Sequence, residues 1–236
     1  MDYADFKAGM KPSYFNQSTQ GDLINGLRMA LPLKARILVV GVGSGEELKY
    51  LRTLAQRVHV TVIDRDPRVK FLLKNSDYDE LIIKDACEFK AKKKFDLVIC
   101  FDVAEHVRRD YQLFLNLYHA LNQGGYLAVT VPAHQWLFGA HDKALGHFRR
   151  YSKRELRVTL PVFDELLLSY RYCFLSPVVL LSKLLGKFGR PRVQAPTLPK
   201  WLNRLAVQLM KFEYYLMGYG FSLPFGVSLV YCGVKR

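Results

Sequence analysis

Gly41-Val42-Gly43-Ser44-Gly45 falls directly between a β-branched run, Arg36 to Val40, and a stretch with Leu48, Leu51 and Leu54 at helical spacing. Three glycines in five residues let the backbone bend sharply and let a ligand approach bare main chain. The amides that open the following helix then face the ligand's anionic end. Strand, glycine bend and helix begin an α/β unit, and the chain goes on alternating. Val58 to Ile63 reads as a second strand, Pro67 to Lys74 as a helix and Glu80 to Ile83 as a third strand. Phe95 to Phe101 reads as a fourth, Arg109 to Leu121 as a helix, and Tyr126 to Val131 as a fifth strand after a Gln123-Gly124-Gly125 turn. Five strands alternating with helices imply a parallel sheet covered on both faces.

Beyond Pro132 the pattern changes. Residues 133–152 form a polar loop rich in His, Arg and Gly; Lys153 to Leu160 reads as a helix and Leu166 to Cys173 as a sixth strand. Residues 174–217 are expected to be helical or irregular, with breaks at Pro191, Pro196 and Pro199, and Val227 to Val234 alternates like a last strand. A helix is expected from about Gly21 to Ala30, closed by Pro32. The 236 residues suit one domain at 35–236, with a helical segment or lid at 1–34 and a basic helical insertion at about 174–225.

The formal net charge of +14 points to an anionic partner: a phosphorylated or otherwise acidic acceptor, an anionic membrane surface, or nucleic acid. The segment from Lys143 to Arg192 holds eleven Lys/Arg against three acids and carries more than half of that excess. Cys87, Cys100, Cys173 and Cys232 are far apart with no Cys-x-x-Cys pair, which fits reduced core cysteines. The first ten residues lack an apolar signal core, and no run reaches the ~20 apolar residues of a membrane span. A cytoplasmic protein is expected, with peripheral contact at the inner membrane surface in view of the basic, apolar tail.

Asp64 closes the second strand, where a carboxylate can accept hydrogen bonds from both hydroxyls of a ribose. Dinucleotides and S-adenosylmethionine share that requirement. Glu46 separates them, because the dinucleotide fingerprint wants a third glycine there and a carboxylate at the helix start repels a diphosphate.

ILVVGVGSGEEL (37–48), VTVIDRDP (60–67), KFDLVICFDVAEHV (94–107) and LNQGGYLAVTVP (121–132) together resemble, in order and spacing, the class I methyltransferases. The resemblance covers roughly residues 36–175 and the last strand. It implies a Rossmann-like α/β fold with a mostly parallel seven-stranded sheet and an antiparallel last strand. It also implies S-adenosyl-L-methionine as cofactor, with S-adenosyl-L-homocysteine as product. By that resemblance Gly41, Gly43 and Gly45 line the cofactor's methionine part, Asp64 holds the ribose and Arg65 flanks the adenine. Asp85 sits by the adenine amino group with Ala86 beside the ring, and Phe101 and Asp102 lie under the methionine end.

Acceptor residues are expected in the loop after the fifth strand, where His134, His141 and His147 cluster with Asp142, Arg149, Arg150 and Tyr151. This loop resembles one in a methyltransferase subgroup associated with cell-surface or lipid-linked glycans. His147 or His134 is the candidate general base, the alternative being histidines that cap turns. Arg149, Arg150 and Tyr151 are the candidate acceptor-binding residues. The three histidines with Asp142 match no metal-ligand spacing, so no metal is expected. His106, after Glu105, reads as structural.

Trp201, Leu202, Leu205, Leu209, Phe212 and Leu216 share one broad helical face, expected to pack on the domain. The expected function is methyl transfer to a small-molecule, lipid-linked or glycan acceptor. The alternatives are an RNA or protein acceptor, or a non-catalytic nucleotide-binding module. Base-amine and cytosine-C5 methyltransferases are disfavoured, since Phe101-Asp102-Val103-Ala104 lacks an Asn/Asp-Pro-Pro-aromatic signature and no Pro-Cys pair occurs.

Overall fold

The computed structural model describes residues 24, 27, 31–43, 45, 47, 48, 50, 51, 58–74, 77–178, 180, 181, 200–219 and 221–236. The expected 1–34 segment, most of the Gly21 to Ala30 helix, Ser44, Glu46 and much of the expected insertion lie outside the described residues.

Seven strands form one sheet: β1 (Arg36–Val40), β2 (His59–Asp64), β3 (Glu80–Ile83), β4 (Phe95–Phe101), β5 (Leu121–Pro132), β6 (Phe163–Arg171) and β7 (Ser228–Lys235). Their order is β3-β2-β1-β4-β5-β7-β6. β1 to β5 pair in parallel, and β7 runs antiparallel to both β5 and β6. This is the Rossmann-like, mostly parallel sheet with an antiparallel last strand. The central strands are β-branched and buried on both faces, as a sheet sandwiched between helices requires. Leu38 and Val40 join one apolar cluster while Ile37 and Val39 join another, in the alternation that a pleated strand imposes.

Four α-helices have defined bounds: α1 (Asp110–Ala120), α2 (Ala140–Ala144), α3 (Lys153–Thr159) and α4 (Lys200–Gly218). Residues 47, 48, 50 and 51, after the glycine bend, are also helical. Leu113, Phe114, Leu117 and Ala120 of α1 are fully buried. Ser152 caps α3, accepting from the Glu155 amide at 3.1 Å while the Glu155 carboxylate accepts from the Ser152 amide at 2.7 Å.

Several elements differ from the sequence reading. Pro67–Phe71 is a 3-10 turn rather than a helix to Lys74, opened by Asp66, whose carboxylate accepts from the Arg68 amide. β5 begins five residues early, at Leu121. Phe95 pairs with Leu121 but Leu97 with Tyr126, so the Gly124 turn is absorbed into the strand as an irregularity. The loop at 133–152 holds a 3-10 turn (Gln135–Leu137) and α2. β6 starts at Phe163 rather than Leu166. In α4 the buried face is Ala206, Met210, Glu213 and Met217, while Trp201, Leu205 and Phe212, expected to pack inward, are exposed. No helix among the described residues is long and apolar enough to cross a membrane.

Candidate functional site

In the strand order the chain reverses direction between β1 and β4, and open α/β sheets bind ligands in the crevice beyond the carboxyl ends of such strands. Val40 pairs with Cys100, so Gly41 leaves β1 beside Phe101, the last residue of β4. Gly41 has φ +65°, and its amide donates to the Ile63 carbonyl at 2.8 Å. A Cβ there would collide with Val103, so the loops after β1 and β4 meet only because position 41 is glycine. Gly43 has φ +53°, and a Cβ on it would meet none of the described residues within 4 Å.

Asp64 stands at the neighbouring strand tip. Its carboxylate accepts from the Asp66 amide at 2.8 Å and from the Gly43 amide, while burial raises its pKa. These bonds fix the carboxylate against the glycine bend. Arg65 beside it is exposed. Asp85 follows β3 in a turn whose Cys87 amide donates to its carboxylate at 2.7 Å. Asn116 of α1 holds the same turn by donating to the carbonyls of Ala86 (3.0 Å) and Cys87 (2.7 Å). Phe101 is buried. Asp102 takes the left-handed conformation, φ +54°, and accepts from the Thr130 hydroxyl at 3.1 Å; burial raises its pKa.

The polar loop after β5 is folded back on the site. Ala133 bridges to Tyr151, and the Phe148 amide donates to the Glu105 carbonyl at 2.7 Å, joining the loops after β4 and β5. Asp142 is the centre of the loop. Its fully buried carboxylate meets His147 Nδ1 at 3.1 Å, Arg150 Nε at 2.8 Å and the Gly139 amide at 2.9 Å. Burial alone would raise the Asp142 pKa, but the hydrogen bonds from His147 and Arg150 hold it well below the carboxylate range. With Nδ1–H donated to Asp142, His147 keeps its lone pair on Nε2. The ring stands edge-on to His106, with centroids 4.5 Å apart.

The other loop candidates are placed differently. His134 (φ +63°) stacks between Tyr170 and Phe225, with centroids 4.9 and 4.7 Å away, and burial lowers its pKa. Arg150 is buried and also donates to the Ala133 carbonyl. Arg149 donates to Asp110 at 2.7 Å, and the Tyr151 hydroxyl to the same carboxylate at 2.8 Å. The three residues expected to grip an acceptor are thus committed to internal partners that hold the loop, and only Arg149 keeps a third of its side chain at the surface.

Sequence reasoning passed over Glu105. It is 1% exposed, its Oε2 has no hydrogen-bond partner among the described residues, and burial drives its pKa well above the carboxylate range. His106, read as structural, has its pKa pushed down to about 4, chiefly by burial.

A family model for a methyltransferase domain matches residues 15–165, well over half of the chain. The chain belongs to the methyltransferase-domain family. Its fold is also that of solved methyltransferases. An S-adenosylmethionine-dependent methyltransferase from Clostridium acetobutylicum superposes with a TM-score of 0.59 at 12% identity, covering 96% of this chain and 94% of that one. One from Archaeoglobus fulgidus gives 0.57 at 15% identity, covering 99% and 100%. The N-methyltransferase NodS of Bradyrhizobium japonicum, solved with S-adenosyl-L-homocysteine, gives 0.54 at 16%, covering 70% and 88%. A search of curated proteins found no match.

Proposed function

We propose that this protein transfers a methyl group from S-adenosyl-L-methionine to a small-molecule, lipid-linked or glycan acceptor. The observation that carries the reading is the glycine bend: close-packed on Val103 at Gly41, clear of every described residue at Gly43, and lined by the fixed Asp64 carboxylate. That combination fits an adenosyl amino acid. Gly41, Gly43 and Gly45 would hold its methionine part, Asp64 the ribose hydroxyls, and Asp85 and Ala86 the adenine, with Arg65 at its edge and Phe101 and Asp102 beneath the methionine end. When bound, the sulfonium supplies an activated methyl together with its leaving group.

The protein's own work is to position the acceptor, shield it from water and provide for the loss of its proton. Asp142 fixes the tautomer of His147 and so sets an imidazole lone pair at this end of the crevice, which makes His147 the residue where that proton is lost. His134, wedged between two aromatic rings, is held by packing rather than presented to an acceptor. The exposed Trp201, Leu205, Phe212 and Tyr215 of α4, with the net charge of +14, support work at the cytoplasmic face of an anionic membrane, where lipid-linked acceptors reside.

Calorimetry of the full chain with S-adenosylmethionine and with NAD tests the cofactor. The sulfonium cofactor is expected to bind and D64A to weaken it at least tenfold; tighter binding of NAD overturns the reading. A radiolabelled methyl-transfer screen over lipid, glycan, RNA and protein fractions tests the acceptor, label in RNA or protein alone being the contrary outcome. H147A should lower turnover with cofactor affinity intact. Unchanged turnover removes His147 from the mechanism.

A further inference from the structure

We infer that Glu105, His106 and His147 form a seat for one divalent cation of the first transition row, such as zinc, beside the glycine bend. One side-chain ligand atom from each lies within 4.8 Å of the others. Small torsional adjustments would close that spread onto an ion with bonds of about 2.1 Å. Two imidazoles and one carboxylate are a recurrent donor set for such ions.

Three further features single this cluster out. A ligating histidine characteristically donates its second ring nitrogen to a carboxylate or a backbone carbonyl, which fixes the lone pair on the nitrogen facing the ion. Both histidines have that support: His147 Nδ1 is bound to Asp142 Oδ1 at 3.1 Å, and the His106 ring to the Gly146 carbonyl. Asp142 is itself fixed by Arg150, at 2.6 Å from Nη2, and by the Gly139 amide. The Glu105 carboxylate is buried, with Oε2 unpaired among the described residues. A buried carboxylate oxygen without a partner is costly, and a cation at that spot removes the cost. Asp102 and Asp142 lie around the cluster together with Arg65 and Arg150, and Arg171 acts on Asp102. The Glu105 carboxylate would offset one of the two positive charges of a divalent ion.

The purpose of the cation rests on the methyltransferase reading; its binding does not. An acceptor oxygen bound to such an ion would lose its proton to water at a lower pH; with the ion in place His147 is a ligand, and its role as the proton's destination belongs to the cation-free site.

The test is a Co2+ titration of the untagged, chelator-treated full chain, followed by visible d–d absorption, with Zn2+ as competitor. One equivalent is expected to bind and to be displaced by Zn2+. E105Q, H106Q and H147Q should each weaken binding at least tenfold, and D142N about ten- to hundredfold. H59Q, at the opposite end of β2, should leave it unchanged. No binding by the unaltered protein, or binding indifferent to both H147Q and H106Q, overturns the proposal. If H106Q does not fold, D142N and H147Q decide, with calorimetry against S-adenosylmethionine as the check of folding. Co2+ binding with this pattern of losses but no methyl transfer to any fraction keeps the seat and removes the methyltransferase reading. Methyl transfer insensitive to chelator, with no Co2+ bound, does the reverse.

Discussion

Gly41 shows how much one missing methyl group decides. Its φ of +65° disfavours any other residue, and Val103 occupies the volume that a side chain would need. Val103 is β-branched and stiff about χ1, so it cannot swing aside cheaply. G41A should therefore combine backbone strain of about 1–3 kcal/mol with separation of the loops after β1 and β4. The expected outcome is a lower urea midpoint and at least a tenfold loss of S-adenosylmethionine affinity by calorimetry, while G43A, whose Cβ would meet none of the described residues, should cost less stability. The glycines and Asp64 were legible in the sequence because their signal is local: strand, bend, helix, carboxylate. His147 was legible as a titratable group in a polar loop. Glu105 was not. Its importance lies in burial and a missing partner, which are properties of the folded chain and leave no spacing behind.

At the scale of elements, β1, β3 and β4 could be read to the residue, because buried parallel strands are short apolar runs with little else in them. The start of β5 could not, since the paired glycines at 124 and 125 signal a turn, and only the pairing with β4 shows that the chain stays within the strand. The orientation of α4 was hidden for a related reason. Apolar residues lie on more than one face, and the face that packs is chosen by a buried acid. Glu213 accepts from the amides of Tyr172 (2.7 Å) and Phe174 (2.7 Å) just beyond β6, and it holds Tyr172 in the left-handed conformation. E213A should leave two amides without their acceptor and lower stability by about 1–3 kcal/mol. Limited proteolysis should then cut first around α4, and cleavage in the β1–β4 region before α4 would contradict this anchoring.

For the molecule as a whole, the two apolar clusters on either side of the sheet hold three of the four cysteines, and all four are free. Cys87, Cys100 and Cys232 are buried, and burial first, then the Asp85 charge, pushes the Cys87 thiol up to about 11. The thiolate is the reactive form, so two units of elevation from 9.0 leave Cys87 with about a hundredfold less of it at pH 8 than an ordinary cysteine. Alkylation of the native protein at pH 8, read by mass spectrometry, should label Cys173 first and Cys87 only as the pH approaches 11. Prompt labelling of Cys87 at pH 8 would mean that this side of the core opens readily. The stitching of residues 133–152 has a consequence of its own. Tied to Glu105, to Asp110 and to β5, that stretch behaves as masonry rather than as a door. Traffic of acceptor and product must then pass along its rim, and evolution could retune what is admitted by altering the exposed edges while this masonry stays as it is.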